Sequence, residues 1–286
     1  MGRLGHRVRV AVALKSFDVA ISIEVSEEAG VRYLHFGSTW IQGAMRIARP
    51  ATLELEYTRD MMFPLLLRED IPPTGASRRS PQGARAPWGG PAARGTWPRT
   101  VLLIGLGAAS LTRFLYKHRP RAAQTVVELE PGVIAAAQHH FKLPPESARL
   151  RITIADGVDY LAAAERDFDL ILVDGYDAQG RTGMLDSLPF YCNCLAHLTP
   201  RGIVAANLLT RSHGIRGALA RMQAAFDGRV VALPKCESGN VVLVAAGGEP
   251  IALAQRELLQ RARRLRRETG LDLVETAQGI ADPLRI

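Results

Sequence analysis

The chain has 286 residues, 47% of them hydrophobic, enough for one large domain or two smaller ones around a real core. Its formal net charge of +8 raises nucleic acid as a partner, but the excess sits in two stretches: residues 71–100, with five Arg and no acid, and residues 251–268, with six Arg against two Glu. Aromatics make up only 6% of the chain and are not interleaved with these arginines, which disfavours base stacking and hence a nucleic-acid partner.

The N-terminal stretch is basic and then apolar, but Lys15 and Asp18 interrupt the run before it could serve as a signal core. Residues 19–25, VAISIEV, alternate as a half-buried strand does, and SEEAG follows as a turn. VRYLHFGS, TWIQGAMRI and ATLELEY read as three further strands, so the first quarter is expected to be a small antiparallel β unit. Residues 58–69 look helical, with Pro64 bending or restarting the helix. Composition then changes. Residues 71–100 are dominated by Pro, Gly, Ala and Arg, and their lack of branched apolar residues predicts a disordered linker or insertion.

From Thr100 strands and helices alternate. VLLIG, TVVELE, LRITIAD, FDLILVD and GIVAANLL read as strands, with helices expected at 109–118, 131–141, 157–165, 189–197 and 213–226. RVVALP and NVVLVAAG have no helix between them and should pair antiparallel. A last helix over 251–268 puts Ile251, Leu258, Ala262 and Leu265 on one face and arginines on the other, a solvated face. The fold class is therefore α/β: a Rossmann-like, seven-stranded, doubly wound sheet, preceded by a small N-terminal antiparallel β domain. Three regions follow: 1–70, the β domain and its linking helix; 71–100, the Arg/Pro/Gly-rich insertion; 101–286, the Rossmann-like domain, where a nucleoside-binding catalytic site is expected on the grounds given below.

No segment approaches about 18 uninterrupted apolar residues, so no membrane span is expected. Three cysteines without a framework fit a reducing compartment, and the expected location is cytoplasmic. Cys192 and Cys194 are too close for ordinary zinc-knuckle spacing, and no metal is expected. His139 and His140 fall on a helix and are expected to face solvent.

In an open parallel sheet, ligands bind beyond the carboxyl ends of the strands. Four strands deliver Gly105-Leu-Gly107, Glu128-Leu-Glu130, Asp156-Gly157 and Asp174-Gly-Tyr-Asp177 to that edge. Two glycines let the backbone turn and come close to a ligand. Any one of the carboxylates is equally a helix N-cap. Together they read as an acidic pocket in a basic protein, suited to a cationic ligand such as a sulfonium or a polyamine. In that pocket Glu130 takes a ribose diol, Asp156 accepts an adenine amino group and Asp174 faces the reacting centre.

IGLGAASLTRFL, VVELEPGVI, ADGVDYL, FDLILVDGYD and LTPRGIVAANLL together resemble the spermidine synthase (polyamine aminopropyltransferase) family, in particular its spermidine-synthase-like branch. Upstream, WIQGAMRIARPATLELEYTRDMM resembles that branch's N-terminal β unit, so the likeness covers roughly 31–245 apart from the insertion. The resemblance implies transfer of an aminopropyl group from decarboxylated S-adenosylmethionine to an amine or polyamine by a homodimer. It further implies Asp174 as the catalytic aspartate, Gln42, Gly105, Gly107, Glu130, Asp156 and Gly157 as the donor site, and Tyr57 and Asp177 at the amine site. Ala108 stands where the family carries an aspartate for the donor's ammonium, and Arg59 where an acid follows the tyrosine. The alternatives are an S-adenosylmethionine-dependent methyltransferase, against which Leu103 argues because an acid is expected there, and a non-catalytic adenosyl-binding protein.

Overall fold

The computed structural model describes residues 7–8, 22–37, 40–68, 97–176, 181–209 and 215–286. The first strands, β1 (Arg7–Val8), β2 (Ile23–Glu28), β3 (Val31–Phe36) and β4 (Gly43–Arg46), form an antiparallel sheet in that order. Alternation buries Ile23 and Val25 on one face. The stretch ATLELEY, expected as a strand, is instead a turn leading into a helix. Leu53 is buried, while both Arg46 nitrogens Nε and Nη2 donate to the Glu54 carboxylate at 3.0 and 2.5 Å. The apolar/polar alternation here reports one-sided burial of an unpaired segment, which has the same period as a paired strand.

Helix α1 (Glu56–Asp60) and helix α2 (Pro64–Leu67) follow, separated at Pro64, whose missing N–H is tolerated at a first helical turn. Most of the expected insertion, 71–96, lies outside the described residues. Trp97 is buried and the Arg99 N–H donates to Asp169 Oδ2 at 2.7 Å, so the last residues of the 71–100 segment already belong to the core.

The core continues as β5 (Thr100–Ile104), α3 (Ser110–His118), β6 (Ala123–Glu128), α4 (Pro131–His140), β7 (Leu150–Ile154), α5 (Gly157–Ala162), β8 (Phe168–Val173), a 3₁₀ turn (Gly183–Asp186), α6 (Leu188–Ala196), β9 (Leu198–Leu209), α7 (Arg216–Ala225), β10 (Val230–Ala232) and β11 (Asn240–Ala246). The chain then adds β12 (Ala252–Leu253), α8 (Gln255–Thr269), α9 (Val274–Gln278) and β13 (Leu284–Arg285). Seven strands form one sheet in the order β10-β11-β9-β8-β5-β6-β7. β5 pairs parallel with both β6 and β8, so the winding reverses beside β5 and opens a crevice at its carboxyl end. β11 runs antiparallel to β9 and to β10, as the missing crossover helix predicted.

Both faces of the sheet are covered. Val101, Leu103, Leu170, Leu172, Ile203 and Ala205 face one side, against α3, α4 and α8; their neighbours Leu102, Ile104, Ile171, Val173, Val204 and Ala206 face the other, against α6 and α7. The last helix begins at Gln255 rather than 251. Leu258, Ala262 and Leu265 are buried on it as expected, while Ile251 is buried ahead of it, beside a short β12–β13 pairing that the helical pattern concealed. Gly270 ends α8 with φ +79°, a left-handed cap that glycine adopts without a Cβ penalty.

The N-terminal sheet is held against this core. Ile23 presses on Gly132 of α4, Arg32 Nη1 donates to the His140 carbonyl, and Ser110 Oγ donates to the Ala44 carbonyl at 2.9 Å. Arg113 is buried and bonds three carbonyls: Pro50 at 2.7 Å, Phe141 at 2.6 Å and Ala108. Burial without a carboxylate partner lowers its pKa to about 9. One guanidinium thereby ties the N-terminal segment, the loop after β5 and the end of α4 together.

Candidate active site

The loop after β5 turns on Gly105 and Gly107, with φ of +94° and +48°. A Cβ at Gly105 would lie 2.2 Å from the Asp174 carbonyl oxygen, so glycine here lets the loop close on the end of β8. A Cβ at Gly107 would lie 3.6 Å from the Gln42 carbonyl, which sets the half-buried Gln42 over the same loop. Gly43 is tighter still: its Cβ would meet that of Ala108 at 2.5 Å. The position where an ammonium-binding aspartate was expected is therefore a buried alanine packed under β4.

β6 delivers its two acids differently. Glu128 is buried and accepts from the Leu106 N–H at 2.8 Å and the Glu130 N–H at 3.0 Å. Burial raises its pKa, and these backbone donors pull it back. Its carboxylate thus braces the glycine loop from below. Glu130, half-buried at the start of α4, makes no side-chain cap. Asp156 caps α5: its Oδ1 accepts from Val158 N–H at 2.7 Å and Asp159 N–H at 3.3 Å. Gly157 lets α5 sit on β5, since a Cβ there would meet Ile104 at 2.3 Å. The 3₁₀ turn after β8 reaches back to this edge, with Leu185 lying against both Gly157 and Gly175. Leu129, Ile154 and Met184 end there too, 58–62% exposed, an unusual apolar surface at the mouth of a crevice.

Asp174 follows β8 directly. Its Oδ1 accepts from Asn207 Nδ2 at 2.8 Å, and Tyr57 on α1 hydrogen-bonds the same carboxylate. Desolvation raises its pKa to about 6, against the lowering effect of those two donors. Tyr176, two residues on, donates from its hydroxyl to the Asn207 carbonyl at 2.5 Å. The structure brings Asp174 and Tyr57 together; Asp177 lies outside the described residues. Asn207 was missed. Its only trace in the sequence is a lone amide inside the apolar strand VAANLL, an expensive group to bury without a partner.

No group of three or more metal-ligating side chains is found among the described residues, nor any helix long and apolar enough to cross a membrane. Cys194 is on the buried face of α6, where burial pushes its thiol up, and Cys192 is exposed.

Residues 90–250 match the model of the spermine/spermidine synthase domain. The chain is 32% identical over 270 residues to a polyamine aminopropyltransferase of Chromobacterium violaceum, covering 94% of this chain and 91% of that one. A Neisseria meningitidis serogroup A protein of the same name is 31% identical over 258 residues, covering 90% and 88%. The human eEF1A lysine and N-terminal methyltransferase is 30% identical over 183 residues, with 59% of this chain matching 26% of that one. Among solved structures, human methyltransferase-like protein 13 in complex with SAH superposes with a TM-score of 0.60 at 24% identity, over 76% of this chain and 93% of that one. Spermidine synthase in complex with the transition-state analogue AdoDATO gives 0.55 at 21% identity, over 79% and 70%. These likenesses carry the fold alone, a seven-stranded sheet with helices on both faces. The domain match over more than half of the chain and the near-full-length relatives carry the ancestry: this chain belongs to the spermine/spermidine synthase domain family.

Proposed function

We propose that the protein is an aminopropyltransferase. Its substrates are decarboxylated S-adenosylmethionine and a primary amine or polyamine. The observation that carries this reading is Asp174, a deep carboxylate at the reversal point of the sheet, poised near neutrality and held by Tyr57 and Asn207. A primary amine has a pKa of about 10, so roughly one molecule in a few thousand is neutral at pH 7. Asp174 attracts the ammonium, accepts one proton from it and leaves a lone pair aimed at the donor. The nitrogen then attacks the carbon attached to the sulfonium. The C–N bond forms, the C–S bond breaks, and its electron pair returns to sulfur, releasing methylthioadenosine. Sulfur leaves as a neutral thioether and needs no acid, so positioning supplies most of the remaining rate.

The donor lies across the glycine loop between Gln42 and the carboxyl edge, with Gly105 and Gly107 clearing its path. Of the two acids after β6, we assign the ribose hydroxyls to Glu128, because its carboxylate meets the glycine loop, with Glu130 at the rim. The adenine rests on the apolar group of Leu129, Ile154 and Met184, beside Asp156 and Gly157. Tyr57 and Asp177 border the amine. No metal takes part in this scheme. The cytoplasm and a homodimer belong to this reading as well.

A methyltransferase reading has one observation in its favour. The buried Ala108 leaves the donor's amino end without the acid that an aminopropyl donor calls for. Product analysis separates the two. Incubation with an amine and each donor in turn should release methylthioadenosine from the decarboxylated one. Release of S-adenosylhomocysteine from the intact one, with the decarboxylated one untouched, would replace the first reading by the second.

A further inference from the structure

Behind Asp174 a chain of neutral polar groups runs on past Asn207 to Asn240 and Ser238, which the catalytic scheme above does not use. Asn207 on β9 donates Nδ2–H to Asp174 Oδ1 at 2.8 Å, and its own Oδ1 accepts from Asn240 Nδ2 at 2.8 Å. Asn240 opens β11, and its Oδ1 accepts from Ser238 Oγ at 2.7 Å. Both asparagines are buried. β11 lies next to β9 in the sheet, and the Leu209–Asn240 pairing fixes the register that brings the two amides together.

We propose that Asn240, which does not touch Asp174, is a positioning residue that locks the Asn207 amide with its N–H end toward the carboxylate. An amide beside a carboxyl group has two useful orientations. It donates to an ionised carboxylate, or turns over and accepts from a protonated one. Asn240 opposes the second choice, because a turned Asn207 would set its Nδ2 against the Nδ2 of Asn240 unless Asn240 and the Ser238 hydroxyl turned with it. The protonated form of Asp174 then has no acceptor in Asn207, and the ionised form has a permanent donor. Burial pulls the other way, so the relay sets how far into the acid range Asp174 keeps its charge. A neutral relay does this without adding a cation that would repel the amine and the sulfonium.

Among the described residues, the titratable groups facing Asp174 are Tyr57 from α1 and Tyr176 after β8. Burial pushes both hydroxyls well above their ordinary range, so neither titrates in the window where Asp174 does. The glycine loop of β5 contributes backbone alone at Gly105.

The role in turnover rests on the aminopropyl-transfer reading; the lock itself does not. The test uses the full chain labelled with ¹³C at aspartate carboxyls, with the Asp174 resonance identified by its loss in Asp174→Asn. Asn240→Asp keeps the shape and replaces the donor with an acceptor, so Asn207 turns over and faces Asp174 with its oxygen. The Asp174 midpoint should rise by about one unit or more. Asn240→Leu carries no charge and frees the amide; its midpoint should rise by less, in the same direction. It also carries the test if Asn240→Asp does not fold. In both variants the acid limb of kcat/KM should move with the midpoint while methylthioadenosine affinity stays within about twofold, a pattern that loosened packing would not give. An unmoved Asp174 midpoint in the variants would overturn the proposal. Absence of turnover in the wild-type protein would count against the aminopropyl reading alone, because the midpoints still read the lock.

Discussion

At Asp174, burial and hydrogen bonding pull proton affinity in opposite directions, and burial wins, leaving a pKa of about 6. As the proposed base it must be ionised, so kcat/KM should fall below about pH 6 and level off above it. Asp174→Asn should lower turnover by roughly 10²–10⁴-fold. The same substitution should stabilise the fold at neutral pH. The folded pKa lies above the unfolded one, so the stability that Asp174 contributes is complete below about pH 4 and is lost as pH rises through about 6. Unfolding free energies from urea titration should therefore favour Asp174→Asn by about 3 kcal/mol at pH 7, with the gain gone near pH 4. Equal midpoints at neutral pH would mean the carboxylate is solvated. The two acids after β6 separate in the same way. Glu128→Gln should weaken methylthioadenosine binding by about 1.5–3 kcal/mol, the scale of a charged hydrogen bond. Glu130→Ala should change it less than about threefold. Calorimetric titration giving the reverse order would return the ribose hydroxyls to Glu130.

Among the elements, α1 is too short to hold itself in place, and tertiary bonds fix it. Asp60 is buried and accepts from Thr276 Oγ1 on α9 at 2.7 Å and from the Cys236 thiol at 3.3 Å; Glu56 accepts from the Glu237 N–H at 2.9 Å. The segment between β10 and β11 thus steadies Tyr57 through α1, and Asp174 through the asparagines. β4 and the loop after β5 meet just as closely. Ala108→Asp would press a larger, charged side chain against Gly43 and should destabilise by about 1–3 kcal/mol or more, read as a lowered denaturation midpoint. An unchanged midpoint would show that β4 gives way there.

On the scale of the whole molecule, the proposed donor site is a seam between the N-terminal unit, where Gln42 lies, and the carboxyl edge of the large sheet. A ligand in the seam binds only the assembled fold. Methylthioadenosine at about a hundred times its dissociation constant should therefore add about 2.7 kcal/mol of stability, raising Tm by several degrees. No shift at saturating ligand would move the nucleoside site elsewhere.

The alternation of strand and helix after Thr100 was legible because β5, β8 and the later part of β9 are near-continuous apolar runs buried on both faces, and the runs of β5, β6, β7 and β8 are each closed by a glycine or an acid. The carboxyl-edge rule then located Asp174, Asp156 and the glycine loop without any coordinates. Other features depend on contacts distant in sequence. Residues 51–57 alternate as a strand does, and only the absence of a partner strand makes them a turn and a helix. Glu128 and Glu130 are indistinguishable by spacing, since a two-residue step keeps the same face; the end of β6 at Glu128 and the closing loop decide which one meets Leu106. Asn207 and Asn240 are 33 positions apart and look like blemishes in apolar strands, yet β9–β11 pairing turns them into the support of Asp174. Local pattern determines which segments form strands and helices, because that choice rests on period and propensity. Which side chains meet across the sheet is decided by register and close approach, which exist only in the folded chain.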